Sequence, residues 1–293
     1  MKRLAIASAL VLPLLAAPAA AQSYNTTLSG ASPGGLWSRI GRGLDAAIAA
    51  AYPGSTVTYQ TGSGGFANIV LVSTGKVPMG MAVDMELVMA KNGVKPFKGK
   101  ITNIRQLVRV YSPTARFQAQ HALIRKDVAE KYGLKTISDI AKKKPKLRVA
   151  INRRGNSDSD IGRLVLEQSG VKLSDIKKWG GQVVYAASRE ITSLMNDRRI
   201  DMTVYGIAYK HPRVREVMRG LGDNLAMLQI EPATAKRVAK MIGGQTCTFK
   251  ASEYPFISQD INTVCAGAIV VVNKDMSDKE AYDLTKEVVT QIE

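Results

Sequence analysis

The chain has 293 residues, 45% of them hydrophobic, and a formal charge of +17, which supports a globular protein large enough for two units with separate cores. The positive excess raises nucleic-acid binding as a class, but its distribution argues against it. Basic runs are short, as at Lys142 to Lys146, Arg153-Arg154 and Lys177-Lys178, with no aromatic-rich stripe among them on which bases could stack.

At the N-terminus Lys2 and Arg3 precede an apolar run from Leu4 to Leu15 and small residues ending Ala19-Ala20-Ala21, the order of a secretory signal peptide over residues 1–21. The run is about a dozen residues long where a membrane span needs ~20, and no later segment approaches that length without charge. No cysteine follows it to carry a lipid, so release into the periplasm is the expectation. Removing 21 of the 293 residues leaves 272, and losing Lys2 and Arg3 takes the charge from +17 to +15. Export makes a Cys247–Cys265 disulfide chemically permissible, closing a loop of about 19 residues, although two buried thiols satisfy the sequence equally well. Those cysteines and the distant His121 and His211 lack metal-ligand spacing, and no cofactor is expected.

Along the mature chain, strands and helices alternate. Tyr24 to Leu28 reads as a strand, followed by the turn Ser29 to Gly35 and a helix carrying Leu36, Ile40, Leu44 and Ile48 on one face. Thr56 to Gln60, a glycine turn and a helix from Phe66 to Thr74 repeat the unit, and Val77 to Val83 is a third strand. A helix from Asp84 ends at Asn92-Gly93, and Gln106 to Tyr111 is the next strand. The pattern restarts with strands His121 to Arg125, Leu147 to Ile151, Gln182 to Tyr185 and Ile200 to Tyr205, with helices near Asp127, from Ser157 to Ser169, and around Ile191 to Met195. Leu225 to Ile230, a helix near Ala233 to Ile242, an irregular stretch from Gly243 to Asn262 and one apolar strand from Val264 to Val272 follow. Ser277 and Glu280 form a capping box for a closing helix, which shows no C-cap glycine before Glu293 and is expected to continue. The fold class is α/β, two lobes each built on a mostly parallel sheet flanked by helices, with a ligand cleft between them. Lobe 1 is expected over residues 22–116 with 263–293 returning to it, and lobe 2 over 117–262.

In such a fold the site is built from loops at strand ends, and three loops are unusual. Gly30-Ala31-Ser32-Pro33-Gly34 matches the G-x-S-x-G of a hydrolase elbow, with Asp84 and His121 later in order. However, Pro33 lacks the N–H that the residue after a nucleophile must donate. A binding role needs only the Ser32 hydroxyl and the N–H groups of Gly34, Gly35 and Leu36 at a helix start. Gly62-Ser63-Gly64-Gly65-Phe66-Ala67 fits a weak dinucleotide fingerprint with Asp84 downstream; export disfavours that reading and leaves a second donor loop at Gly64, with Asn68 facing a ligand or capping a turn. Asn156, Ser157, Asp158, Ser159 and Asp160 open a helix, where Ser157 and Asp160 form a capping arrangement or the helix start faces the first loop across the cleft. Asp158 there competes with an anionic ligand or recruits a cationic group. Trp37 is placed to wall the cleft or pack on the sheet, Tyr205 ends a strand, and Asp84 accepts an ammonium group or caps a helix.

The chain resembles the TAXI group of solute receptors, which serve tripartite ATP-independent periplasmic (TRAP) transporters and share the type II periplasmic-binding-protein fold. The resemblance rests on Gly30 to Gly35, on Thr61 to Asn68 with Leu71-Val72-Ser73-Thr74-Gly75, and on Ile137-Ser138-Asp139-Ile140. Arg199-Ile200-Asp201-Met202 before Tyr205-Gly206, and Val264 to Asp275, complete it. It implies a monomer that clamps an amino acid or organic acid between its lobes and delivers it to membrane permease subunits. The chain departs from the group's pattern at Leu36-Trp37-Ser38 and at Gly155 to Ser159, which bears on ligand identity. The reading is therefore a receptor, not an enzyme, for a small carboxylate-bearing solute, with no nucleic acid as partner. The proposed contacts are Ser32, Gly34, Gly35, Leu36, Trp37, Gly64, Asn68, Asp84, Asn156, Ser157, Asp158, Ser159 and Tyr205. A sensor for a membrane signalling protein and a hydrolase using Ser32 are the alternatives.

Overall fold

A computed structural model describes residues 22–290. The expected leader at residues 1–21 and the last three residues of the chain lie outside the described residues. The first βα units come out close to their sequence pattern. They are β1 (Asn25–Ser29), α1 (Leu36–Ala51), β2 (Thr56–Gln60), α2 (Gly65–Ser73), β3 (Met79–Ala82) and α3 (Asp84–Asn92), then β4 (Ile104–Tyr111). The stripe on α1 buries Trp37 and Ile48 against the sheet, and α3 stops where Gly93 adopts φ +68°, a left-handed conformation that favours glycine.

After Tyr111 the chain enters a second sheet through β5 (Gln118–Arg125). There follow α4 (Lys126–Tyr132), α5 (Ile137–Lys143), β6 (Arg148–Ile151), α6 (Ser157–Gln168), α7 (Leu173–Lys178), β7 (Gln182–Tyr185), α8 (Ser188–Asn196) and β8 (Met202–Ile207). Then come α9 (Pro212–Leu221), β9 (Leu225–Met227), α10 (Pro232–Ile242), β10 (Gln245–Phe249), β11 (Ile261–Ala266), β12 (Ala268–Asn273) and α11 (Asp278–Thr290). The sequence pattern passes over α5, α7 and α9, which are short; α9 starts with Pro212 behind a His211 N-cap.

The sheets run β2-β1-β3-β12-β4 and β10-β11-β5-β8-β6-β7, with β9 beside β5. They are more mixed than expected. Parallel pairing is confined to β1 with β2 and β3, and β6 with β7 and β8, where helices make the crossovers; β12, β4, β5, β9, β10 and β11 pair antiparallel. The run read as one strand from Val264 to Val272 is two. Gly267 divides it, leaving β11 in the second sheet and β12 in the first. A Cβ on Gly267 would lie 2.9 Å from the Tyr111 carbonyl oxygen, so the two chain crossings between the sheets pack against each other. The stretch read as irregular contains β10, joined to β11 by a Cys247–Cys265 disulfide with Cα atoms 5.9 Å apart.

Both faces of each sheet are buried. Along β12, Val270 and Val272 enter the cluster of Leu28, Met81 and Trp37, while Ile269 and Val271 enter that of Ile69, Val72 and Phe97. Leu284 and Val288 of α11 close the first cluster against α1 and β4. Leu28 is 0% exposed at its centre. Leu28→Ala is expected to destabilise the protein by about 2–5 kcal/mol through lost burial and a residual cavity, read from the midpoint of urea unfolding.

Candidate functional site

Loops from the two sheets meet over a small polar cavity of about 40 Å³. On the first side stand Ala31, Ser32 and the opening turn of α1, Gly35 to Trp37. That helix has Gly35 as its N-cap, no side-chain cap and no acidic residue in its first turn, so its leading N–H groups keep their electropositive character. Asn152, the start of α6, Ser188 and Gly206 stand opposite, with Tyr111 and Gln118 from the crossing between the sheets.

One hydrogen-bonded chain spans the gap. Ser32 Oγ donates to Asn152 Oδ1 (3.2 Å), and Asn152 Nδ2 donates to Asp158 Oδ2 (3.0 Å) and Ser188 Oγ (3.1 Å). Asp158 Oδ1 accepts the Gly206 N–H. Trp37 Nε1 donates to the Tyr111 hydroxyl (2.9 Å), which donates to Gln118 Oε1 (2.8 Å), so the indole is held as a wall. At the rim, Arg153 donates to the Gly62 carbonyl (3.0 Å). A Cβ on Gly64, whose φ is +113°, would lie 2.6 Å from Asn156 Cα, so the loops touch backbone to backbone. The cavity exceeds the roughly 10–15 Å³ that one water needs and falls well below the ~300 Å³ of an ordinary ligand pocket. A wider groove of about 1000 Å³ lies elsewhere, among α4, α9, β9 and Pro255 to Gln259. None of the three unusual loops reaches it, whereas polar groups from both sheets converge on the small cavity.

Of the expected contacts, Ser32, Gly35, Leu36, Trp37, Asn156, Ser157 and Asp158 line the cavity. Gly34, with φ +70°, stands beside it near the Arg213 guanidinium, and Gly64 forms the loop contact just described. Ser159 is buried in α6 without lining the cavity. Three of the expected residues stand away from the cavity. Asn68 is fully buried with its amide committed inside the first sheet, donating to Gly30 O (3.0 Å) and Met81 O (2.7 Å) and accepting from Ser29 Oγ (2.8 Å). Asp84 pairs with Arg109 at 2.6 Å, outside the cavity. Tyr205 points to the opposite face of its strand, into the cluster of Leu123, Ile207 and Phe249, and Gly206 faces the cavity instead.

The capping of α6 also differs, since Asn156 accepts the Asp158 N–H (3.0 Å) in place of a Ser157 and Asp160 arrangement. The hydrolase triad is dispersed. His121 is bonded to the Ala119 carbonyl (2.8 Å) and Tyr254 (3.0 Å), and Ser32 meets only Asn152. The second donor loop is already filled: the carboxyl of Glu86 lies against Gly65 at the start of α2. Ala31, Tyr111, Gln118, Asn152, Ser188 and Gly206 are cavity residues that the sequence reading did not select. Gly206 was within reach of the strand's two-residue period; Tyr111 and Gln118 depend on where the chain crosses between sheets.

No Lys, Arg or His lines the cavity. Burial pushes the Asp158 carboxyl up to about 6 against the pull of its bonds from Asn152 and Gly206. Burial also pushes Glu86 up to about 8, opposed by the Val83 and Phe66 N–H groups and reinforced by Asp160. A folded-state carboxyl pKa above the unfolded value keeps a proton that the unfolded chain has released, so its contribution to stability falls as pH rises between the two values. Relative to Glu86→Gln, the wild type should therefore lose thermal stability as pH rises from about 4.5 to about 8. Melting temperatures of both proteins across that range check this, and parallel curves would count against it.

The NMT1-like family matches residues 28–292. The chain belongs to that family. It has the two-sheet α/β fold of type II-like periplasmic binding proteins, as solved structures also show. MatC from Rhodopseudomonas palustris with bound malate superposes with a TM-score of 0.58 at 12% identity, over 92% of this chain and 84% of MatC. PhnD1 from Prochlorococcus marinus, in complex with methylphosphonate, gives 0.56 at 13%, over 92% and 83%. A binding protein component of an ABC phosphonate transporter from Pseudomonas aeruginosa gives 0.54 at 8%, over 92% and 80%. No curated protein sequence matches the chain.

Proposed function

We propose that the chain is an exported periplasmic receptor of the TAXI type that captures a small carboxylate-bearing solute and delivers it to a TRAP-type permease. The observation that carries this reading is the cavity walled by both sheets, where the uncapped start of α1 faces the start of α6 across Ser32, Asn152 and Asp158. Exposed N–H groups at a helix start suit a carboxylate, and hydroxyl and amide groups on the opposite wall fix its orientation. Residues 22–116 with 268–290 act as one lobe and 117–266 as the other, opening to admit the solute and closing over it. Family membership and the shared fold support receptor function. The order of charged, apolar and small residues at 1–21 supports export. The carboxylate preference draws on MatC, whose structure holds malate, and on PhnD1, whose structure holds methylphosphonate, also an anion.

Thermal-shift screening of the mature chain against monocarboxylates, dicarboxylates and amino acids tests the reading. A bound solute at about 100 times its Kd adds roughly 2.7 kcal/mol of stability, and a flat profile across all three classes would sink capture. Gly64→Ala tests closure itself. The new Cβ would meet the Asn156 backbone at 2.6 Å, and φ +113° is strained for alanine. The variant should bind the same solute at least tenfold more weakly and show a larger radius of gyration with ligand in small-angle scattering. Unchanged affinity and size would remove closure from the account.

A further inference from the structure

Basic runs that lie far apart in the sequence come together at one end of the second lobe. There β8, β6 and β7 are parallel neighbours, and each runs from this end towards the cavity: β6 leads to Asn152, β7 leads to Ser188, and β8 carries Gly206. Their starting ends are joined side by side. A side chain at Gly181 would strike the Leu147 carbonyl, the Gln182 N–H donates to that carbonyl at 2.8 Å, and the Asp201 N–H donates to the Arg148 carbonyl at 2.8 Å. The three segments that enter these strands therefore form one surface, at the opposite ends of the strands from the cavity. This surface is strongly basic. Lys142 to Lys144 and Lys146 precede β6, Lys177-Lys178 precede β7, Arg198-Arg199 precede β8, and all eight side chains are exposed. The one exposed acid between the same bounds is Asp197, since Asp201 is buried against Arg148. Lys142 and Lys178 each stand 3.7 Å from a half-buried acid, Asp139 and Asp175. Among the described residues no acid pairs with Lys144, Lys146, Lys177, Arg198 or Arg199.

We propose that this pole of the second lobe is a docking surface for an anionic phospholipid bilayer. Phosphodiester headgroups present a plane of negative charge, and a polybasic cluster gains attraction from each cation that reaches it. Six of the eight cations are lysines, point charges on flexible stems that can follow a fluid headgroup layer, in place of the rigid arginine forks that read nucleic acid. Trp179, between Lys178 and Gly180, packs against the core cluster of Leu147 and Ile176, and it is the one aromatic residue in the three segments. The surface thus lacks the aromatic stripe along which bases stack. In the proposed receptor, delivery to a membrane permease takes place beside such a bilayer. All eight cations belong to one lobe, so docking through them leaves the hinge between the lobes free and the cavity ends of the strands clear of the lipid.

Co-sedimentation of the mature chain with vesicles tests this, using equal parts phosphatidylglycerol and phosphatidylcholine against phosphatidylcholine alone. At about 0.1 M salt the protein is expected on the anionic vesicles only, with affinity falling at least tenfold as salt rises to about 1 M. A triple variant, Lys143→Glu with Lys144→Glu and Lys146→Glu, should bind at least tenfold more weakly than the wild type. Lys76→Glu with Lys91→Glu and Lys98→Glu makes the same charge change at exposed lysines of the first lobe and should keep most of the binding. Equal losses in the two variants would assign the effect to net charge and overturn the docking surface. Equal binding to neutral vesicles, or none to anionic ones, would overturn it as well. Duplex DNA that strips the protein from the vesicles at matched phosphate concentration would make the pole a general polyanion surface and sink the lipid assignment. The wild-type arms need no variant to fold, and none of these measurements uses the solute, so their failure leaves capture to be judged by the thermal-shift screen.

Discussion

The backbone of Gly64 rests directly on that of Asn156, and this approach of two loops from different sheets sets the distance between everything else in the site. A side chain at residue 64 would hold the loops apart, and φ +113° there is open to glycine at little cost. Because the loops meet, the start of α6 stands opposite the start of α1, Ser32 reaches Asn152, and Arg153 reaches the Gly62 carbonyl. These contacts are polar, Met85 of α3 adds an apolar one against the second sheet's cluster, and each sheet has its own buried clusters on both faces. Separating the two halves therefore disrupts much less apolar burial than unfolding either, which suits a cleft that opens and closes.

Two carboxyl groups, Asp158 in the cavity and Glu86 outside it, have been removed from water by folding without a basic partner. Asp158 is held by an amide and a backbone N–H, and Glu86 by the Val83 N–H. Each raises the cost of the folded state near neutral pH.

Much of the fold was legible because strong periodicity and punctuation coincide. Thr56 to Gln60 and Asp84 to Asn92 fall where alternation, N-terminal acids and a terminal glycine place them. The apolar stretch around Gly267 was misread because hydrophobicity says that a strand is buried and is silent on which sheet buries it; only the pairing partners distinguish β11 from β12. The glycine-rich loops and the opening of α6 were recognisable from composition and position. Asn68 was not, because an amide near a ligand loop and an amide bonded to Gly30 and Met81 have the same sequence signature. Tyr205 failed by one residue of strand period, which exchanges the two faces of a sheet. Glu86 was passed over although an acid three residues after Val83 is a local signal for capping α3.

Gly267 and Tyr111 also bear on mechanics. The chain passes between the two sheets at β4 to β5 and at β11 to β12, and these passages touch where Gly267 meets the Tyr111 carbonyl. Two tethers in contact act as a pivot, allowing rotation about their common region and resisting sliding or separation. The disulfide at Cys265 anchors one tether to β10 just before the pivot, while Tyr111 links the other to Trp37 in the cavity wall. The indole is thereby tied to the pivot, so in the proposed receptor a solute pressing on Trp37 would act on a short lever arm of the whole molecule.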